Sequence, residues 1–126
     1  MTLLGDRESR LLIDGKLVPG SRGTFPTVNP ATEEVLGVAA DATVGDMVDA
    51  IDAARRTFDE TDWSTNVELR VRCLRQLQQA MRDHSDELRE LTISEVGAPR
   101  MLTAGAHLDG PIEDLSFAAD TAESYQ

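Results

Sequence analysis

The chain has 126 residues, of which 40% are hydrophobic and 28% charged, the composition of an ordinary globular domain. Aromatic residues make up only 4%, so the core must be built from aliphatic side chains. The formal net charge of −11, from 23 acidic and 12 basic residues, argues against nucleic acid and against anionic membrane surfaces as partners, since basic patches hold both.

Residues 1–9 read as a polar, frayed terminus. The opening stretch "MTLLGDRESR" has neither the basic nor the apolar region of a secretory signal. Leu11-Leu12-Ile13 and Lys16-Leu17-Val18 then flank Asp14-Gly15. An Asp-Gly pair between apolar runs predicts a hairpin, because a type I′ turn needs positive φ at both central residues. Pro19 to Gly23 forms a second loop, rich in turn residues. Thr24 to Val28 and Val35 to Ala39 read as two further extended pieces, joined by Asn29-Pro30-Ala31-Thr32-Glu33-Glu34.

The period then becomes helical. Thr43 to Asp46 fits an N-cap with an acid three residues on. Val44, Met47, Val48, Ile51, Ala54 and Phe58 recur at three- and four-residue steps and should share one face, with the helix ending near residues 59–62. Thr65 to Glu68 has the form of another capping box and opens a helix with two apolar lines. One line runs through Val67, Val71, Leu74, Gln78 and Met81, and the other through Leu69, Cys73, Leu77 and Ala80. Ser85 is a candidate cap for a third helix reaching Val96, with Gly97 as its C′ residue and Pro99 as its stop. A fourth helix starts near Pro99, and Pro111 should kink or restart it. Short strands followed by four helices is therefore the expected order.

Few residues stand out for chemistry. Cys73 is the single cysteine, which excludes an internal disulfide and favours a reducing, cytoplasmic setting. It lies on an apolar helix face with no histidine nearby in sequence, the setting of a structural thiol. His84 and His107 lack the carboxylate or cysteine company of a metal site. Asp49 with Asp52, and Asp109 with Glu113, have helical spacing, but a solvated acidic face accounts for them better than an acid–base pair. There is no G-x-G-x-x-G and no P-loop lysine. No apolar run approaches the ~20 residues of a membrane span.

The segments "LLIDGKLV", "FPTVNPATEEVLGVAADATVGDMVDAIDAARRTFDETDW" and "DELRELTISEVGAP" together resemble, in order, the opening of the aldehyde dehydrogenase superfamily. The resemblance implies an α/β, Rossmann-like parent fold. This chain would supply its N-terminal hairpin, short strands and four helices, with residues 10–126 an incomplete part of the cofactor-binding domain. It implies oxidation of an aldehyde to a carboxylic acid with NAD or NADP, through a cysteine thiohemiacetal, in a homodimer or homotetramer. The family's G-Q-x-C, E-L-G-G-K, W-N-x-P and F-T-G-S motifs do not occur here; they belong to the remainder of such a chain. Cys73 stands in the wrong element to replace the nucleophile. No catalytic or cofactor-binding residue is therefore expected in this segment, which alone should be inactive scaffold.

Two sites follow from the resemblance. Residues matching Thr27 and Val28, with a carboxylate that falls here on Glu95, hold a structural monovalent cation, Na+ or K+, in many members. Carbonyls outside a ladder are suitable hard ligands. Alternatively, Thr27 and Val28 only cross from strand to turn, with Pro30 holding Asn29 extended. Ala106 and Gly110 align with a wall of the aldehyde tunnel, although a close helix crossing accounts for small residues equally well. Glu33 stands where the family commonly has glycine, so this turn either carries strain or is built differently. A different reading of the whole is an independent acidic helical module that binds a partner protein.

Overall fold

The computed structural model describes residues 9–125; the frayed terminus expected over residues 1–9 lies almost entirely outside them. The chain divides after Thr61 into two compact units.

The first unit holds two antiparallel ribbons and one helix. β1 (Leu11–Ile13) pairs with β2 (Lys16–Val18), Ile13 facing Lys16 across the two-residue turn. Asp14 and Gly15 have φ of 53° and 71°, the left-handed values a type I′ turn demands. β3 (Thr24–Val28) pairs with β4 (Val35–Ala40). Pro26 is tolerated within β3 because in a two-stranded ribbon every strand is an edge. Before β3, Gly20 is buried against backbone. A Cβ there would come within 2.6 Å of the Asp41 carbonyl oxygen, so no larger residue fits.

α1 (Val44–Glu60) opens as the sequence predicts. Thr43 Oγ1 accepts from the Asp46 amide at 3.2 Å, and the Asp46 carboxylate accepts from the Thr43 amide at 2.7 Å. The same carboxylate also accepts from the Ser21 hydroxyl at 2.6 Å and the Ser21 amide at 3.2 Å. One side chain thus caps the helix and ties down the 19–23 loop. α1 packs within its unit against β1, and Ala53 is its buried residue. The large residues of its apolar face stay exposed, contrary to what a core-facing stripe would give.

The second unit is helical. A 3-10 turn (Asp62–Ser64) leads into α2 (Val67–Asp83). The cap of α2 is Asn66, which accepts from the Leu69 amide at 2.9 Å. Thr65, expected to take that place, instead turns its hydroxyl back to the Asp62 carbonyl. α3 (Ser85–Val96) starts at its expected cap residue, one position earlier than expected, with His84 at the cap position and Ser85 inside the helix. Gly97 ends it at φ 68°, in the left-handed conformation glycine adopts without penalty. The expected fourth helix is divided into α4 (Arg100–Thr103) and α5 (Asp109–Ser124). Pro111 falls in the first turn of α5, where its missing N–H costs nothing, so it restarts the helix rather than kinking it.

The core of this unit lies between α2 and α5, which run antiparallel. Val71 and Gln78 of α2 and Ile112 and Ala119 of α5 are buried, each pair seven residues apart and hence on one face. Gln78 brings a polar amide into this layer and satisfies it by donating to the Ile112 carbonyl at 2.8 Å. Arg75 with Asp120, and Arg82 with Glu113, edge the contact from opposite ends. Arg82 holds the Glu113 carboxyl below the usual carboxylate range. Of the second apolar line of α2, Leu77 and Ala80 are exposed while Cys73 is half-buried.

The hydrogen bonds from Ser21 and Thr43 hold the Asp46 carboxyl down at about 2. Its folded value lies below the ordinary one, so the stability it contributes is complete above about pH 4 and fades as pH falls through about 2. Asp46→Asn should therefore lower Tm at neutral pH. The gap between variant and wild type should narrow over that acid window in melts followed by circular dichroism.

Candidate functional site

The 25–35 segment places Thr27 and Val28 at an irregularity in the ribbon. Thr27 faces Gly37, but Val28 faces Val35, so Leu36 is an extra, bulged residue. Leu36 turns inward and is buried. A bulge leaves backbone groups outside the ladder, and bulges recur where a strand must re-aim a side chain. Thr27 Oγ1 is buried at this point and has no hydrogen-bond partner, the one such side-chain atom among the described residues. An orphaned hydroxyl beside an interrupted ladder is the donor chemistry a hard monovalent cation takes. The Thr27–Val28 half of the expected site therefore fits such an ion.

The following turn explains how the bulge is held. Asn29 Oδ1 accepts from the Ala31 amide at 2.8 Å, closing an Asx turn. The Glu33 amide donates to the Asn29 carbonyl at 2.8 Å, and the Asn29 amide to the Glu34 carbonyl at 2.9 Å. This path needs a left-handed residue before β4, and Glu33 supplies it at φ 63°. The glycine conformation is thus kept with a glutamate in it, at a cost of about 1 kcal/mol or more.

Glu95 stands in the last turn of α3, exposed, in the second unit. Ala106 and His107 lie in the exposed turn between α4 and α5, not inside a helix as the sequence suggested for His107. Gly110 is half-buried in the first turn of α5. Its amide donates to the Gly105 carbonyl at 2.8 Å, and a Cβ would approach that oxygen to 3.0 Å. The backbone of this turn is thus a sufficient reason for a small residue at 110.

A cluster that sequence reading missed frames the same turn. Arg89 of α3, only 18% exposed, donates to Thr103 Oγ1 at 2.8 Å and to both oxygens of Asp109 at 2.8 and 3.1 Å. Thr103 ends α4 and is fully buried, and Asp109 begins α5. One planar guanidinium therefore grips both ends of the 104–108 turn. Arg89 and Asp109, with Arg82, Ser85, Ile112 and Glu113, border an open cleft of about 220 Å3. Separations of 14 and 20 residues carry no periodic signal, so nothing in the sequence foretold it.

Asp109 and Glu113, set aside in the sequence as an acid–base pair, face Arg89 and Arg82 respectively. Among the described residues no group of three or more histidine, cysteine or acidic side chains is placed to hold a metal. None of the described helices is long and apolar enough to cross a membrane.

Comparison with known proteins agrees with this architecture. The aldehyde dehydrogenase family model matches residues 17–126. The chain belongs to the aldehyde dehydrogenase family. A putative aldehyde dehydrogenase, DhaS, of Bacillus subtilis is 37% identical over 112 residues, covering 87% of this chain and 23% of its own length. A betaine aldehyde dehydrogenase of Vibrio vulnificus is 35% identical over 115 residues, covering 90% of this chain and 22% of its own. Among solved structures, HpcC of Thermus thermophilus superposes with a TM-score of 0.83 at 34% identity over 96% of this chain and 23% of its own. An aldehyde dehydrogenase of Mycobacterium tuberculosis complexed with NAD+ gives 0.82 at 26% identity, over 92% and 24%. The chain thus spans under a quarter of the length of the relatives it matches, and it matches them as an N-terminal portion.

Glu33→Gly should raise stability by about 0.5–1 kcal/mol, the relief of strain less the added freedom of the unfolded chain. Chemical denaturation with unchanged m-value would register this as a higher midpoint. A lower midpoint would mean that the Glu33 side chain itself supports the turn.

Proposed function

We propose that this chain is the N-terminal scaffold of an enzyme that oxidises an aldehyde to a carboxylic acid with NAD or NADP. The observation that carries this reading is the family match over residues 17–126 joined to a coverage of less than a quarter of the relatives. Such an enzyme transfers hydride from a cysteine-bound aldehyde to its nicotinamide cofactor. None of its chemical residues is assigned to this segment. The sequence has no dinucleotide-type glycine motif, and Cys73 is a half-buried residue of α2. Its residues contribute position instead. Ala106 in the 104–108 turn and Gly110 in the first turn of α5 border the aldehyde's approach, and the Arg89 grip on Thr103 and Asp109 fixes that border. The remainder of the enzyme, a homodimeric or homotetrameric assembly and a cytoplasmic location complete the proposal.

Within the same reading, Thr27 and Val28 hold Na+ or K+ at the bulge of the β3–β4 ribbon. Support comes from the orphaned Thr27 Oγ1 and the bulge beside it. The ion's part is to stabilise the ribbon, and it takes no share in the reaction.

The purified 126-residue chain should produce no aldehyde-dependent reduction of NAD or NADP, followed by nicotinamide absorbance. Measurable turnover by this chain alone would sink the scaffold assignment. For the ion, Tm should rise by about 3 °C or more in K+ or Na+ relative to choline at equal ionic strength. Thr27→Val, which removes the orphaned hydroxyl, should shrink that increment. An increment of zero in the wild type would remove the cation from the proposal.

A further inference from the structure

α1 is packed in an unusual sense. Its buried residue is the small Ala53, while Val44 is 82% exposed, Met47 60%, Ile51 57%, Val48 47% and Phe58 45%. At about 100° per residue, Ala53 projects nearly opposite Ile51. The helix therefore meets its own unit with its small side and turns its large apolar side chains outward. Asp49, Asp52 and Glu60 occupy the remaining flank by the same geometry. An outward stripe of this size is not the scatter of single apolar residues a monomer surface normally shows.

The stripe does not end at the helix. Met47 also borders an apolar groove of about 150 Å3, where Leu11, Leu12 and Ile13 of β1 run beside Ala50 of α1. Met47 thus belongs to both the helix face and the groove, which Asp46 also borders. The one charged residue within the stripe, Arg55, is compensated: its guanidinium lies 4.7 Å over the Phe58 ring and pairs with Asp59. A flat, stacked and paired arginine is compatible with an apolar interface, where Arg is enriched.

We propose that the outward face of α1 is an interface that receives the part of an aldehyde dehydrogenase lying beyond the matched 23%. This rests on the reading given under Proposed function. Two observations choose that occupant over a second copy of this chain. The relatives carry more than three times as much further polypeptide as the matched portion, all of which must be packed somewhere. Each copy also carries a net charge of −11, and carboxylates at Asp52 and Asp59 flank the stripe, so two copies face to face would meet with like charges.

The test places one substitution pair in two settings. Met47→Asp with Ile51→Asp is made in the 126-residue chain. It is also made in a chimera in which this chain replaces the matching N-terminal segment of Thermus thermophilus HpcC. In the chain alone both positions are exposed, so Tm should move by no more than about 2 °C. In the chimera both carboxylates would be driven into an apolar interface, and Tm should fall by about 5 °C or more. Aldehyde-dependent NAD reduction by the unsubstituted chimera separately tests the reading on which this depends. A folded, active chimera that tolerates both substitutions overturns the interface and leaves that reading standing. A chimera that neither folds nor turns over overturns both. An equally large fall in the chain alone would mean that the stripe is covered within the chain, against the proposal. A dimer of the chain that dissociates on substitution would make the occupant a second copy, with the same consequence.

Discussion

The Asp46 carboxylate is the point on which the first unit turns. It caps α1, and through Ser21 it anchors the loop that connects the two ribbons. A short acidic side chain at the third helical position can satisfy one orphan amide at a helix start; here it satisfies donors from two segments 22 residues apart. Because the loop is fixed to the start of the helix, the rotation of α1 about its own axis is fixed as well. That rotation buries Ala53 and leaves the large aliphatic residues outward.

The second unit solves a different problem. Its helices must join through tight connections, and two residues hostile to helix continuation stand at or beside them. Gly97 ends α3 in a left-handed cap, and Pro111 is accommodated only because α5 begins two residues before it. Between them the chain makes a turn whose amides double up on two carbonyls, those of Leu102 and Gly105. Backbone bonding alone leaves that turn thinly supported. Arg89 supplies the rest from a neighbouring helix, and its burial against fully buried Thr103 makes the arrangement hard to disturb.

Local chemistry was legible in the sequence wherever one short stretch settles the outcome. Asp14-Gly15 announces its turn because few residue pairs accept two positive φ values, and Thr43 with Asp46 announces a cap because both groups lie within one helical turn. Glu33 was visible as an anomaly for the same reason. Thr65 and Ser85 misled by a single position: Asn66 takes the capping amide next to Thr65, and α3 begins at Ser85 with His84 at its cap position and no side-chain cap bond. What stayed hidden was everything long-range. The apolar period of α1 names a face without saying what it faces, and the Arg89 cluster joins residues with no regular spacing. Thr27 was marked by resemblance, yet only the folded ribbon reveals its hydroxyl as unpartnered.

The grip of Arg89 on the two ends of the 104–108 turn separates what the turn must be from what it must carry. Its Thr103 anchor is buried and its Asp109 anchor half-buried, while its tip, at Ala106 and His107, is open to solvent. Side chains at the tip can drift in size and polarity across generations while the frame that presents them keeps its shape.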